Sequence, residues 1–364
     1  MVTRRDVLIG AGGLAALAAG GGAYQWSGAR AYEAALLETW SHRDPVELHD
    51  LSYLTHYATL AANSHNTQAW RFSLAGTTVS IKPDFTRVTP SADPDDHHLY
   101  ASLGCAAENL MLAATRQGWA VAGAYAGDAA PAFDIDLTRT GGQQNPLFDA
   151  ILERQSTRAE YDGEPVEAGL LSALERAAKV EGCEVLLIDD PQQIEQVLDF
   201  VLAANTRQVE NPAFRRELRS WLRFDGRQAA AARDGLYSAC SGNPPLPPLI
   251  ANAIFDLVFT ADAENDKYAR QIRSSAGLAV FVSERDDPEH WIAAGRASQR
   301  FALEATRQGL RTAFVNQPVE VAELRSQLSA ALGLGGRRPD LIMRFGRGPA
   351  MPRSLRRPVE AVID

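Results

Sequence analysis

The chain is short of cysteine and of net positive charge, and each shortage removes a class of function. Its three cysteines, Cys105, Cys183 and Cys240, are widely separated in 364 residues and show no metal-type spacing. Neither a disulfide framework nor a zinc site is expected. Cys105 falls within a small-residue helical pattern and is expected to be a buried apolar residue. A formal net charge of -9 gives no basic field for nucleic acid, and the arginines at 215–216 and 353–357 are local clusters. With 46% hydrophobic residues the chain has enough apolar side chains for a large core or two halves, so disorder is not expected. A small molecule is the expected ligand.

The N-terminus has its own character. Arg4-Arg5 precedes an apolar run from Val7 to Tyr24 that carries Gly10, Gly12, Gly13, Gly20, Gly21 and Gly22. A membrane span needs roughly 17–25 apolar residues, so this glycine-rich run is marginal as one. Residues 1–30 read as a twin-arginine export signal. No clear Ala-x-Ala site follows, so the alternative of a retained N-terminal anchor stays open. Export by this route moves folded proteins; the expected location is the periplasm, or a membrane-anchored position facing it, with membrane attachment through this segment alone.

The richest cluster of polar side chains is Asn63-Ser64-His65-Asn66-Thr67-Gln68. Before it, Leu51, Leu54, Ala58 and Ala61 recur at helical spacing; after it, Trp70 to Leu74 alternates as a strand that turns at Gly76-Thr77-Thr78 towards Val79-Ser80-Ile81. A polar break between regular elements is a common place for ligand contacts, although Asn63 and Ser64 could equally just end the helix. The run Ser64 to Phe72 resembles the Ser-x-x-Asn-x-Gln-Pro-Trp-x-Phe segment of the nitroreductase family of flavin enzymes, where that segment approaches FMN across a subunit interface. Ala69 stands where the family has proline, which should loosen the turn without removing a ligand.

Two stretches superpose without gaps. His98 to Gly118 matches Glu289 to Gly309 at a constant offset of 191, with identity at Gly104/Gly295, Ala106/Ala297, Leu112/Leu303 and a shared Ala-Thr-Arg-Gln-Gly ending. The pattern suggests an internal duplication. In each copy small residues recur at spacings of three and four, a face that lets helices approach closely, and the terminal glycine supplies a stop. The family's corresponding helix forms its dimer core, so two copies in one chain would pack as a dimer does.

Arg154-Gln155-Ser156-Thr157-Arg158 places two guanidiniums around a hydroxyl, donors suited to a dianionic phosphate. It resembles the Arg-Arg-Ser-x-Arg opening that holds the FMN phosphate in nitroreductases. The first half has the Ser64 to Phe72 loop without such an opening. The second has Arg154 to Arg158, but shows Val180 to Leu187 where the loop would come. Since each family FMN touches one segment from each subunit, the chain resembles a fused dimer that keeps one complete site. Pro352 to Glu360 resembles the family's terminal basic segment, where Arg356 or Arg357 would reach the phosphate. Asp340 to Gly346 reads as a strand ending at a glycine turn.

The resemblance, strongest to the Acg-like branch, implies an α+β fold of nitroreductase type, duplicated so that one chain mimics the family homodimer. Residues 31–145 would form the first half and 146–364 the second. An insertion at about 205–265, with an amphipathic helix from Asn211 to Phe224 and a proline-rich stretch from Ser238 to Pro248 that should lack regular structure, would act as a lid. It further implies FMN as cofactor. Ser64, His65, Asn66 and Gln68 would contact the ribityl chain or ring edge, and Arg154, Ser156, Arg158 and Arg356 or Arg357 the phosphate. The chemistry would be hydride or electron transfer through flavin N5 to a small organic acceptor, nitroaromatic or quinone-like, from an unspecified donor. No metal and no acid–base residue is assigned, and the chain is expected to be monomeric as a pseudo-dimer. The alternatives are a flavin-storage protein without turnover and an empty scaffold.

Overall fold

The computed structural model describes Tyr24 and residues 26–46, 50–127, 129–141 and 145–364. The twin-arginine segment up to residue 23 lies outside the described residues.

Helix α1 (26–39) leads to α2 (Leu51–Thr59), whose first turn is closed by the Asp50 carboxylate accepting from the Tyr53 N–H. The polar loop follows. Strands β1 (Trp70–Ala75) and β2 (Thr78–Pro83) then pair in register around the turn at Gly76, whose φ of +63° suits glycine. Helix α3 (His97–Arg116) crosses to β3 (Trp119–Tyr125) and β4 (Phe133–Arg139), completing an antiparallel sheet of order β1-β2-β4-β3.

The second half runs the same way. Helix α4 (Ala168–Ala177) precedes β5 (Cys183–Ile188); β8 (Gly277–Ser283) leads into α10 (Pro288–Arg307), and β9 (Arg311–Phe314) and β10 (Pro339–Gly346) follow. Their antiparallel order is β5-β8-β10-β9, strand for strand that of the first sheet. Between β9 and β10 lie α11 (Gln317–Glu320) and α12 (Ala322–Ala331). Every residue of β8 and β10 is buried, because this sheet has one apolar cluster around Phe281, Phe301 and Phe345 and another around Val197, Ile272 and Val280.

Helices α3 and α10 form the centre. A side chain at Gly104 would overlap the Ile292 carbonyl, and one at Gly295 would overlap the Ala101 carbonyl. At the 191 offset, Gly104 corresponds to Gly295 and Ala101 to Ile292, so the two contacts are reciprocal. The next turn repeats the relation: Gln299 Nε2 donates to Asn109 Oδ1 at 2.8 Å, and Arg300 Nη1 to Glu108 Oε1 at 2.7 Å. Cys105 is buried in the same seam, its thiol against the Gly295 carbonyl.

Between β5 and β8 the chain builds α5 (Pro191–Glu210), α6 (Pro212–Trp221), the short strand β6 (Leu222–Arg223), α7 (Gly226–Ala232), its parallel partner β7 (Leu236–Tyr237), α8 (Pro248–Val258) and α9 (Ala261–Arg273). Two sequence expectations change here. The helix beginning near Asn211 stops at Trp221, where Leu222 turns extended to pair with Leu236. Within the stretch expected to lack regular structure, residues 243–247 do lack it, but Ser238–Ser241 forms a 3₁₀ turn and Pro248 starts α8 from a first-turn position that needs no N–H donor.

Candidate functional site

The loop after α2 is held in a conformation that ordinary residues avoid. His65, Asn66 and Gln68 have φ of 45°, 53° and 53°, in the left-handed region. Such conformations cost about 1–3 kcal/mol each and persist where surrounding contacts impose them. Those contacts are visible. The Ala62 N–H donates to Gln299 Oε1 at 3.3 Å and the Ser64 N–H to Ser102 Oγ at 3.1 Å, fixing the loop to both central helices. Asn63 Oδ1 accepts the Gln68 N–H at 3.0 Å. Ala69, in the absence of proline, is buried, and its carbonyl accepts from the Asp84 N–H at 3.0 Å.

Asn66 and Gln68 are engaged elsewhere. The Asn66 amide donates to the Gly235 carbonyl at 2.9 Å and to Leu355 O at 3.1 Å, leaving Oδ1 buried without a partner. Gln68 donates to Arg233 O at 2.9 Å and accepts the Arg357 N–H at 2.8 Å. The loop therefore clamps the α7–β7 connection to the C-terminal tail. Ser64 and His65 instead line a chamber of 480 Å3, inside the ~300–1,000 Å3 range of small-molecule sites. Burial, reinforced by Arg158 and His98, pushes His65 down to about 4, so its ring is neutral near pH 7, and its Nδ1 has no partner.

The segment from Arg154 to Arg158 runs beside β9: Ser156 bridges Thr312, and the Thr157 N–H donates to Thr312 O at 2.8 Å. Arg154, Ser156 and Arg158 line a second, smaller chamber of 50 Å3 with Asn63, Asn66, Arg353 and Arg356. Ala62, Asn63, Arg158 and Leu236 belong to the walls of both chambers, so the two adjoin. Among the described residues, four arginines and no carboxylate line the smaller one.

Part of that charge has a structural use. Arg356 donates to the carbonyls of Thr59 at 2.6 Å and Ala61 at 3.0 Å, and Arg154 to Leu60 O at 3.0 Å, closing the C-terminal end of α2. A helix C-terminus offers only about half a negative charge, which two guanidiniums exceed several-fold. Burial accordingly pushes Arg154 down to about 10 and, with Arg154 beside it, Arg356 to about 9. The Arg154 Nε is buried and unpartnered, and no ion pair involves Arg158 among the described residues. The chamber is an electropositive cradle suited to a phosphate-type anion.

Arg357 lies apart: its Nη2 donates to Ala361 O at 2.8 Å and it lines neither chamber. The tail thus offers Arg356 and Arg353 to the cradle. The sequence did not single out Arg353, nor the chamber walls supplied by His98, Lys267, Tyr268 and Glu320, whose chemistry has no local pattern.

A family model described as the nitroreductase family matches residues 151–347. The chain belongs to the nitroreductase family. A Mycobacterium tuberculosis protein bearing the name "Putative NAD(P)H nitroreductase", present in two strains, is 25% identical over 324 residues, covering 84% of this chain and 89% of its own length. Solved nitroreductases with bound FMN from Bacteroides fragilis and Desulfitobacterium hafniense are 14% and 15% identical, with TM-scores of 0.34 and 0.38. They cover 57% and 59% of this chain and 90% and 96% of their own. The family match begins three residues before Arg154 and ends one residue after β10, so it takes in the arginine segment and the whole second sheet.

Proposed function

We propose that this nitroreductase-family chain is an FMN-dependent oxidoreductase that passes electrons to a small organic acceptor of nitroaromatic or quinone type. The observation that carries the proposal is the smaller chamber, where Arg154, Arg158, Arg353 and Arg356 meet without a carboxylate. Arg154, Ser156, Arg158 and Arg356 would hold the phosphate. Ser64 and His65 stand on the adjoining wall of the larger chamber, where the rest of the cofactor would lie. When bound, FMN supplies the redox chemistry.

The protein's own residues set the conditions. His65 offers a neutral imidazole edge to the chamber, and Arg158 joins the anion cradle to the larger cavity. Phe214, Leu222, Phe224 and Phe255 of the segment between β5 and β8 roof that cavity with apolar side chains, which limits water. The proposed lid at about 205–265 corresponds to this roof.

The proposal includes an origin by internal duplication, with residues 31–145 and 146–364 as the two halves and the chain acting as a monomeric pseudo-dimer of Acg-like type. Its support is the common strand order of the two sheets and the reciprocal Gly104–Ile292 and Gly295–Ala101 contacts. Export by the twin-arginine route to the periplasm, with or without a retained anchor, belongs to the same proposal and rests on Arg4-Arg5 and the run after it.

Purification from the native host tests the reading. A yellow protein that is reduced by a nicotinamide donor and reoxidised by a nitroaromatic or quinone supports it. A yellow protein inert to donors indicates a flavin store, and a colourless protein that takes up no FMN overturns it.

A further inference from the structure

At the wall of the larger chamber, at the start of α3, the chain buries a cluster of metal-ligating groups. Asp93, His97 and His98 are 4%, 1% and 4% exposed, and one donor atom from each lies within 4.8 Å of the others. Neither histidine Nε2 makes a well-formed hydrogen bond, although that of His97 lies 3.1 Å from the Asp340 carboxylate. We propose that Asp93, His97 and His98 bind a divalent transition metal of the zinc type.

The surroundings hold this donor set in place. Asp93 accepts the backbone N–H groups of His98 at 3.0 Å and Leu99 at 2.9 Å, which fixes its carboxylate at the helix start. Asp340 Oδ2 accepts from the Ser283 N–H at 2.7 Å and its hydroxyl at 2.5 Å, and its Oδ1 makes an ion-pair contact with His97 Nε2 at 3.1 Å. Glu320 Oε1 stands 3.7 Å from His98 Nδ1, while its other oxygen accepts from Gln208 at 2.5 Å. The edge of His97 packs on Trp291, with ring centroids 5.6 Å apart. Rings and carboxylates are thus oriented by groups that are not themselves ligands, as built metal sites require.

Charge points the same way. The nearby guanidiniums are already committed: Arg338 pairs with Asp95 and Asp286 at 2.8 Å each, and Arg325 approaches Asp95 at 3.6 Å. Asp93, Asp340 and Glu320 are left with two imidazoles and the edge of Arg338, whose Nε is 3.6 Å from Asp340. Burying carboxylates without a compensating cation is costly. A dication answers that deficit. Two imidazoles and a carboxylate suit zinc and its first-row neighbours, whereas calcium and magnesium prefer oxygen alone. Zinc bonds of ~2.0–2.2 Å would require the three side chains to close by roughly an ångström.

None of the three ligands is an anion-cradle residue, although His98 also lines the larger chamber, so metal uptake is read directly and without flavin. A second group, Asp287, Glu289 and His290, is more exposed and serves as the internal control. Tag-free protein, stripped with a chelator, is titrated with Co2+ and followed by visible absorption, and with Zn2+ followed by thermal unfolding. One Co2+ per chain with d–d absorption, and a rise in Tm of several degrees with Zn2+, are expected. His97→Asn and His98→Asn should weaken Co2+ binding at least 100-fold while His290→Asn leaves it unchanged. The wild-type titration stands by itself if a buried variant fails to fold. No uptake by the wild type at micromolar metal, or uptake abolished by His290→Asn alone, overturns the site.

Discussion

Gly104 in α3 lies directly on the backbone carbonyl of Ile292 in α10, and the equivalent glycine of α10, Gly295, lies on the carbonyl of Ala101. The two helices meet backbone to backbone because neither position carries a side chain. Both obstructions are main-chain atoms of packed helices, so no rotamer change relieves them. Gly104→Ala should therefore destabilise by about 1–3 kcal/mol or more. Gly309→Ala, which meets nothing within 4 Å, should cost only the strain of its φ of +74°. Denaturant unfolding of the two variants provides the comparison, and equal loss at both positions would contradict the close-packed seam.

Gln68 ties three separated parts of the chain together, through the Arg233 carbonyl, the Arg357 N–H and its own strained backbone. Gln68→Ala removes both side-chain hydrogen bonds and leaves their partners unpaired, at a cost of about 1–3 kcal/mol. The effect should be local first. Limited proteolysis is expected to open the connection around residues 233–235 faster in the variant than in the wild type, with α3 and α10 unaffected.

Two histidines should make the fold acid-sensitive. Burial, with Arg43 next, pushes His56 to about 4, and burial, with Arg158 next, does the same for His65. Unfolded histidine titrates near ~6.5. Above that value both states are neutral and the stabilisation is complete. As pH falls from about 6.5 towards 4 the unfolded chain takes up protons that the folded chain refuses, so stability declines, and below 4 the folded rings protonate as well. The Tm should drop by several degrees between pH 7 and 4.5. The drop should be visibly smaller in a His56→Gln, His65→Asn double variant, asparagine being chosen because it tolerates the left-handed backbone at position 65.

Sequence reading reached the elements whose signal is local. The β1–β2 hairpin, the α3/α10 pair and the C-terminal strand all follow from periodicity and glycine placement, and each appears where expected. Its expectation of no regular structure between Ser238 and Pro248 holds at residues 243–247, but it missed the 3₁₀ turn at Ser238–Ser241 and the first-turn role of Pro248 in α8. It could not choose between Arg356 and Arg357. Arg356 and not Arg357 lines the smaller chamber, because its guanidinium reaches the carbonyls of Thr59 and Ala61, a relation spanning almost 300 residues. Asn66 and Gln68 show the converse: their polar side chains were legible as a cluster, but their partners at Gly235, Leu355 and Arg233 come from parts of the chain with no pattern in common with the loop. The chamber wall was invisible for the same reason, since Lys267, Glu320 and His98 arrive from α9, α11 and α3.

The central claim is that the arginine-lined chamber receives the phosphate of FMN, and riboflavin, which lacks that phosphate, isolates it. The most direct measurement is equilibrium titration of apo-protein with FMN and with riboflavin, for the wild type, Arg158→Ala and Arg357→Ala. A charge-assisted hydrogen bond is worth about 1.5–3 kcal/mol. The account predicts that the wild type binds FMN far more tightly than riboflavin. It also predicts that Arg158→Ala weakens FMN at least tenfold with little change for riboflavin, and that Arg357→Ala leaves both affinities as they were. Equal wild-type affinity for the two ligands, or FMN binding indifferent to Arg158, would contradict it.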